Sequence, residues 1–493
     1  MSVGQGIRGG VKWLMAGKIG NRFMEFAFGV ILARLLVPAD FGMIATIAVF
    51  TGFVGMFTSG GMGQSLIRAK EADANDFTAV FTLQLTMGVV AYLAFFLTAP
   101  WIAHLFDQPL YTNLIRVSAL SFLLRPFFVM RNSWLNREMN FKSRSVVDVA
   151  AGFVTGISSA LMAWGGMGVW SLVLSGLLGA LFQNLWLARL TPLKLSLNMD
   201  IATMRKHSAY GFKIVANDFV SYLRSESKSL ILSKLAGPAF LGLFNKAESL
   251  SRLPNQLVMS STMQPVFRAM SKVQDDLDQT KYLFYRTITL LMAYTTPIYV
   301  LLWWIAEPFI GVVYGEKWLE AGAPMAILAT AGVFLNVIFP CVVVLSAQNR
   351  LGQEMLAQSI NLLVIIGATF IGLNWGLEGV AWGIVLSQVS VAVHFYLLVR
   401  RTLPTRVGDL IRAAAPGLSL SALLLGVLAL TDFLLGAHKT ATPLLYLAVM
   451  SFCGGLFYSA AFLLIPIPAL QTEAARWRQK LGSGIAFLGR GLP

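Results

Sequence analysis

Charge is the scarcest commodity in this chain. Asp, Glu, Lys and Arg together make up 12% of 493 residues, about half the share usual in soluble globular domains. A soluble protein of this length would lack the polar surface to cover its cores. Acidic residues are fewer than basic ones, 23 against 38, for a formal charge of +15. Cysteine is confined to Cys341 and Cys453, both inside apolar stretches, which excludes a disulfide framework and a thiolate metal site. The four histidines, His104, His207, His394 and His438, are scattered without ligand spacing. The one Gly-Lys pair, Gly17-Lys18, is followed by Ile19, and Lys12 stands where a phosphate-binding loop needs its first glycine. The longest connections, 190–208 and 267–285, leave no room for a soluble catalytic or nucleotide-binding domain. No serine or cysteine nucleophile has a base close in sequence. The sequence therefore predicts a non-enzyme without cofactor or metal.

What the chain has instead is hydrocarbon. Hydrophobic residues reach 56%, in runs of the roughly 20 residues that a helix needs to cross a bilayer. Fourteen such segments are predicted, at 11–36, 41–63, 77–99, 110–131, 146–164, 169–189, 210–233, 240–267, 286–306, 321–346, 355–373, 379–399, 413–433 and 444–465. The fold class is all-α, a polytopic membrane protein. With the N-terminus inside, roughly 25 basic residues fall on the cytoplasmic side and about four, Arg34, Lys234, Lys317 and Lys439, on the other, which places both termini in the cytoplasm. These bases are strung through short loops, so no groove for nucleic acid is expected. The first segment holds Lys18, Arg22 and Glu25 and ends in Leu35-Leu36 without a small-residue cleavage site. It is expected to stay as a helix.

The turn Ile31-Leu32-Ala33-Arg34-Leu35-Leu36-Val37-Pro38-Ala39-Asp40-Phe41-Gly42 returns two hundred residues later, from Ile231 through Lys234 and Pro238 to Gly242. A second echo links Trp164-Gly165-Gly166-Met167-Gly168-Val169-Trp170 to the stretch from Trp375 to Trp382. Either both echoes are common loop punctuation, or the chain contains parallel six-helix repeats. The domains expected on the second reading are an N-terminal lobe at 1–200, a C-terminal lobe at 201–402, helices thirteen and fourteen at 403–466, and a cytoplasmic amphipathic tail at 467–493. In that tail Arg476, Trp477, Arg478 and Lys480 stand beside apolar residues, as in a helix lying on the inner leaflet.

Some segments carry charge at bilayer depth. Lys18, Arg22 and Glu25 share one helical stripe. Asn217, Ser221, Arg224 and Lys228 form another, flanked by Asp218, Tyr222, Ser225 and Ser229, and segment eight adds Asn245, Lys246, Glu248, Arg252 and Gln256. A central charge costs about 2.5–3.5 kcal/mol even on a lenient scale, so five or six exposed to lipid would cost on the order of 15 kcal/mol. The stripes should face a wet or protein-lined interior. Internal pairing, Glu25 with Arg22 or Lys18 and Glu248 with Arg252, accounts for part of the charge. It leaves cations in excess, and an excess of cations suits a diphosphate. Each cation about 4 Å from a phosphate charge gains roughly 4 kcal/mol before desolvation. The candidate substrate-binding residues are Lys18, Arg22, Glu25, Arg224, Lys228, Lys246 and Arg252, with the arginines first because they bind phosphate bidentately. Glu25, Asp218 and Glu248 are candidates for ion coupling. Gly52, Gly55, Gly60, Gly61 and Gly63 read as close helix packing or a hinge. Trp101, Trp318 and Trp375 read as interfacial anchors.

The Leu35-Leu36-Val37-Pro38-Ala39-Asp40-Phe41-Gly42 turn, the stretch Leu135-Asn136-Arg137-Glu138-Met139-Asn140-Phe141-Lys142 and the twelve-plus-two helix plan resemble the polysaccharide transporter family of the multidrug/oligosaccharidyl-lipid/polysaccharide exporter superfamily. The resemblance covers nearly the whole chain and marks architecture without naming a substrate. It implies two lobes that open alternately to either side of the bacterial inner membrane, with a cationic cavity for the diphosphate-sugar head of a lipid-linked oligosaccharide. Its implied partners are that substrate, the membrane lipids, and polymerase and export machinery. A drug or metabolite antiporter of the same superfamily would share the lobes but carry fewer cations. A membrane-embedded polysaccharide polymerase would need a substantial outer loop, and the outer loops here are short.

Overall fold

The computed structural model describes residues 3–59, 61–69, 72–348, 350–436 and 438–489. Side chains are described for these except 3–12, 14–16, 59, 210, 212–214, 216–218, 220–221, 224, 257, 260–261, 351, 355, 440 and 481–489. The described residues are mainly helical and contain no strand. Ten stretches among them are long and apolar enough to cross a bilayer, two of which, Tyr111–Arg137 and Gly352–Arg400, each contain two α-helices. The predicted segments outside those ten are the first, seventh and eighth, the ones that carry the charged stripes. All three are nevertheless helical.

By packing, the chain divides into two compact units, Met1–Gly242 and Leu243–Pro493. The first contains α1 (Val3–Leu35), α2 (Pro38–Ser59), α3 (Met62–Arg68), α4 (Ala74–Leu105), α5 (Tyr111–Ser118), α6 (Ser121–Arg137), α7 (Phe141–Trp164), α8 (Trp170–Leu190), α9 (Ile201–Leu235) and the start of α10 (Gly237–Ser251). Helices enter the membrane from acidic or amide caps. Asp73 and Asp76 close a capping box on α4, Asn140 caps α7, and Asp200 accepts from the Thr203 amide of α9 at 3.1 Å. Each cap satisfies an amide that hydrocarbon could not, and a carboxylate also complements the helix dipole. Inside the spans, Thr78, Thr82 and Thr86 bond the carbonyl four residues back, at 3.0, 2.8 and 2.9 Å, so their hydroxyls are satisfied within the helix. The core of this unit is built on Phe95, Tyr111, Leu114, Ile115 and Phe122. α1 packs on α7, α7 on α8, and α9 on α2, α3 and α4.

The repeated turn finds its counterpart here. A methyl on Gly42 would lie 1.7 Å from the Pro238 carbonyl oxygen, and one on Gly242 would lie 1.9 Å from that of Pro38. Each copy of the turn thus buries its glycine against the proline of the other. A two-fold relation between copies produces this kind of reciprocal contact. Only glycine permits it, because both obstacles are backbone.

The second unit continues through α11 (Leu253–Lys272), α12 (Leu277–Tyr314), α13 (Gly322–Ala347), α14 (Leu351–Gly372), α15 (Gly376–Arg400), α16 (Val407–Leu435), α17 (His438–Ala441), α18 (Pro443–Leu464) and α19 (Gln471–Gly489). α12 is its axis and packs on α11, α13, α16 and α18. The core gathers Phe284, Ile288, Leu291, Phe339 and Phe395. Across both units large apolar side chains are left outside, including Leu97, Trp101, Phe433 and Leu464, as hydrocarbon requires. Trp101 and Trp375 are exposed, as an anchor should be, but Trp318 is fully buried. The anchor expectation is corrected there: the 3-10 turn Glu316–Ala321 folds Trp318 inward, beside Tyr314.

Candidate functional site

α1 turns Gly17 and Phe28 toward α7, where a methyl on Gly17 would lie 2.9 Å from Ser145 Cβ and Phe28 fills the space above Gly156. Lys18, Arg22 and Glu25 occupy the adjoining face and are exposed on the unit. Arg22 Nη1 donates to Glu25 Oε2 at 2.9 Å, with the two side chains 62% and 64% exposed. A pair this open is worth little in stability, and Lys18 stands on the same stripe. In α9, Lys228 is buried. The side chains of Asp218 and Arg224 lie outside the described residues.

In the second unit, the Lys246 ammonium lies 4.7 Å from the Tyr314 ring and 5.1 Å from that of Trp318. The two aromatic faces hold it by cation–π attraction. One turn on, Arg252 Nη2 meets Glu248 Oε1 at 2.7 Å, the arginine about half exposed and the glutamate largely covered. Arg252 also sits at the junction where α10 ends and α11 begins. Ser251, Gly332, Leu335 and Gln388 join this pair around a small cleft. The structure therefore pairs Glu248 with Arg252, gives Arg252 the open position, and sets Lys246 against Tyr314 and Trp318 instead.

Two features escaped the sequence reading. Arg125 stands midway along the span Tyr111–Arg137 and is exposed on its unit. A methyl on Gly55 of α2 would lie 2.1 Å from its Nη1. The signal was available, an arginine beside Pro126 in an apolar run, but nothing in the spacing ties position 125 to position 55. Of the candidate glycines, Gly52 faces the Tyr222 hydroxyl at 2.7 Å and Gly63 faces Ser133 and Val129 at 2.8 and 2.9 Å, measured from an added methyl. These three make room for side chains, and Gly60 lies outside the described residues. The second feature is a relay in which Ser65 Oγ and His207 Nδ1 are 2.8 Å apart and His207 Nε2 and Asp76 Oδ1 are 3.0 Å apart. The ring is 1% exposed, and its carboxylate partner is also half of the α4 capping box. The relay ties α3, α4 and the first turns of α9 to one another.

Outside the spans, Lys234 Nζ donates to Asp107 Oδ2 at 2.8 Å. That hydrogen bond and the charge of Lys234 hold the Asp107 carboxyl below its ordinary pKa. Beside this pair, the Thr46 and Ser233 hydroxyls are 2.5 Å apart, between α2 and α9.

Residues 31–323 match the model of a family described as polysaccharide biosynthesis protein. The chain belongs to that family. Among similar proteins, the succinoglycan biosynthesis transport protein ExoT of Rhizobium meliloti (strain 1021) is 24% identical over 465 residues, 92% of each chain. The lipopolysaccharide biosynthesis protein WzxC of Escherichia coli (strain K12) is 23% identical over 414 residues, 82% of this chain and 83% of the relative. In fold, the chain matches the lipid II flippase MurJ in an inward closed conformation with a TM-score of 0.73 and 16% identity, covering 91% of this chain and 98% of that one. Within this polysaccharide biosynthesis family the chain is a multi-pass membrane protein with a MurJ-like helical fold.

Proposed function

We propose that this protein is a flippase that carries a lipid-diphosphate-linked oligosaccharide from the cytoplasmic to the outer leaflet of a bacterial inner membrane, for exopolysaccharide, capsule or O-antigen synthesis. The observation that supports the proposal is a set of exposed cations on helices of this membrane protein: Lys18 and Arg22 on α1, Arg125 within the span Tyr111–Arg137, and Arg252 at the α10–α11 junction. Lipid would expel such groups, whereas a diphosphate would draw them in. Names of family relatives, a succinoglycan transport protein and a lipopolysaccharide biosynthesis protein, support the same cargo class. Arg224, Lys228 and Lys246 complete the proposed head-group set, with Lys246 kept in place by its aromatic neighbours.

In this reading both termini are cytoplasmic, and residues 1–200 and 201–402 are repeats that rock between two openings, with polymerase and export machinery taking the product. The reciprocal Gly42–Pro238 and Gly242–Pro38 contact supports the duplication. Glu25, Asp218 and Glu248 are the proposed sites of any coupling ion. Glu25 and Glu248 already neutralise neighbouring arginines, so protonating either would release a cation for substrate.

The test is deletion of the gene with a readout of both surface polymer and lipid-linked intermediate, complemented by Arg22→Glu and Arg252→Glu. Deletion should abolish the polymer and leave the intermediate on the cytoplasmic face. Loss of a charge-assisted hydrogen bond worth about 1.5–3 kcal/mol predicts roughly a 10- to 150-fold slower transfer in each variant. Normal polymer from both variants at wild-type protein levels would refute the assignment.

A further inference from the structure

A groove of about 510 Å³ runs along the second unit between α12, α16 and α18, and its far end is closed by Trp477 of α19. Pro297, Leu301, Leu424, Phe462 and Leu463 line it. Its size lies in the range of small-molecule sites, about 300–1,000 Å³. Its wall is almost wholly apolar and belongs to helices that cross the membrane, so its natural occupant is a hydrocarbon chain.

The closed end is chemically different. Trp477 Nε1 donates to the Tyr294 hydroxyl at 3.1 Å, and Lys480 Nζ lies 5.3 Å from the Trp477 ring. Arg476, Arg478 and Lys480 are exposed on this first stretch of α19, with Glu473 as the one acid among Gln471–Lys480. Glu473 is shared between Arg286 at 3.3 Å and Arg476 at 3.0 Å, so the cluster keeps a net positive charge. Ala474 of α19 and Leu470, in the 3-10 turn just before it, are buried in one cluster with Ala293, Leu420 and Phe462. An apolar trough lined by an indole whose helix exposes three cations beside it in sequence matches a lipid with one acyl chain along the helices and an anionic phosphate at the interface.

We infer that this groove is a binding site for an anionic glycerophospholipid, with one acyl chain between α12, α16 and α18 and its phosphate against Arg476, Arg478 and Lys480. The lipid adds to the direct contacts that hold α19 to the membrane helices, the Arg286–Glu473 ion pair and the Trp477–Tyr294 hydrogen bond among them. The site does not depend on the flippase proposal, because none of its residues belongs to the proposed head-group set.

Gly455 gives a clean probe, since a Cβ added there meets nothing within 4 Å and its α-carbon borders the groove. Gly455→Leu fills the trough from a position that accepts a side chain, and Gly455→Ala is the control. The full-length protein, purified in mild detergent, is analysed by native mass spectrometry for retained phosphatidylglycerol and then titrated with phosphatidylglycerol and phosphatidylcholine. Wild type and Gly455→Ala should retain one phosphatidylglycerol, and Gly455→Leu should lose it. Changing Arg476, Arg478 and Lys480 to Gln should weaken phosphatidylglycerol by about fivefold per cation and leave phosphatidylcholine unchanged. Equal retention in every variant would mean annular lipid only. Retention of a polyprenyl phosphate in place of phosphatidylglycerol would mean that the groove serves another chain. Either result overturns the inference.

Discussion

Two glycines show how the identity of the obstacle decides what a methyl group costs. At Gly55 the obstacle is the tip of Arg125, a flexible side chain that can swing away. Gly55→Ala should therefore leave thermal stability in detergent within about 1 kcal/mol of wild type, while transport falls to the level of Arg125→Gln. At Gly42 the obstacle is the Pro238 backbone, which cannot rotate aside. Gly42→Ala should cost about 1–3 kcal/mol, the usual penalty for forcing volume into a tight contact. A reversed order of the two stabilities would undo this account. Sequence alone marked Gly55 as a close-packing or hinge position and Gly42 as the end of a repeated turn, but neither the guanidinium nor the proline is near them in the chain. Glu248 and Arg252 are the opposite case. Their spacing of four on one helix predicted the pair that the structure contains at 2.7 Å.

Among the elements, α9 shows how local caps and distant partners combine. Its N-terminal turns are fixed by Asp200 and by the His207 relay, and its C-terminal turns by Lys234 and Ser233. If transport requires α9 to part from α2, cysteines at Thr46 and Ser233 should block it on oxidation and release it on reduction, with Cys341 and Cys453 replaced. Unimpaired transport by the cross-linked protein would exclude that movement. The Lys234–Asp107 pair adds a pH signature. Because the folded-state pKa of Asp107 lies below its unfolded value near 3.9, the pair stabilises fully above about pH 3.9, and this contribution is lost as pH falls through the lower, folded value. Lys234→Gln should remove that component of acid unfolding and leave the profile above pH 5 parallel to wild type. The relay was invisible to sequence reasoning, since His207, Ser65 and Asp76 show no mutual spacing and meet only because three helices converge.

For the molecule as a whole, the energetic question raised by the proposed function is what would drive an anionic head group outward. Moving charge down a negative-inside potential gains about 2.3 kcal/mol per charge per 100 mV, so a doubly charged head group gains roughly 4–5 kcal/mol. In reconstituted vesicles the flipping rate should follow the clamped potential and stay unchanged when proton and sodium gradients are collapsed at constant voltage. Dependence on an ion gradient alone would transfer the drive to Glu25, Asp218 or Glu248. Composition by itself determined that this chain lives in a membrane and is helical, because hydrocarbon leaves a backbone few other ways to satisfy its hydrogen bonds. Helical periodicity also placed Lys18, Arg22 and Glu25 on one stripe. Tertiary structure decided which charges stay open and which are enclosed: Arg22 and Arg252 half in the open, Lys228 buried, Lys246 against two rings and Trp318 turned inward. The reason is physical. Periodicity fixes the direction of a side chain around its own helix, but its surroundings are supplied by other helices, whose approach depends on contacts hundreds of residues apart.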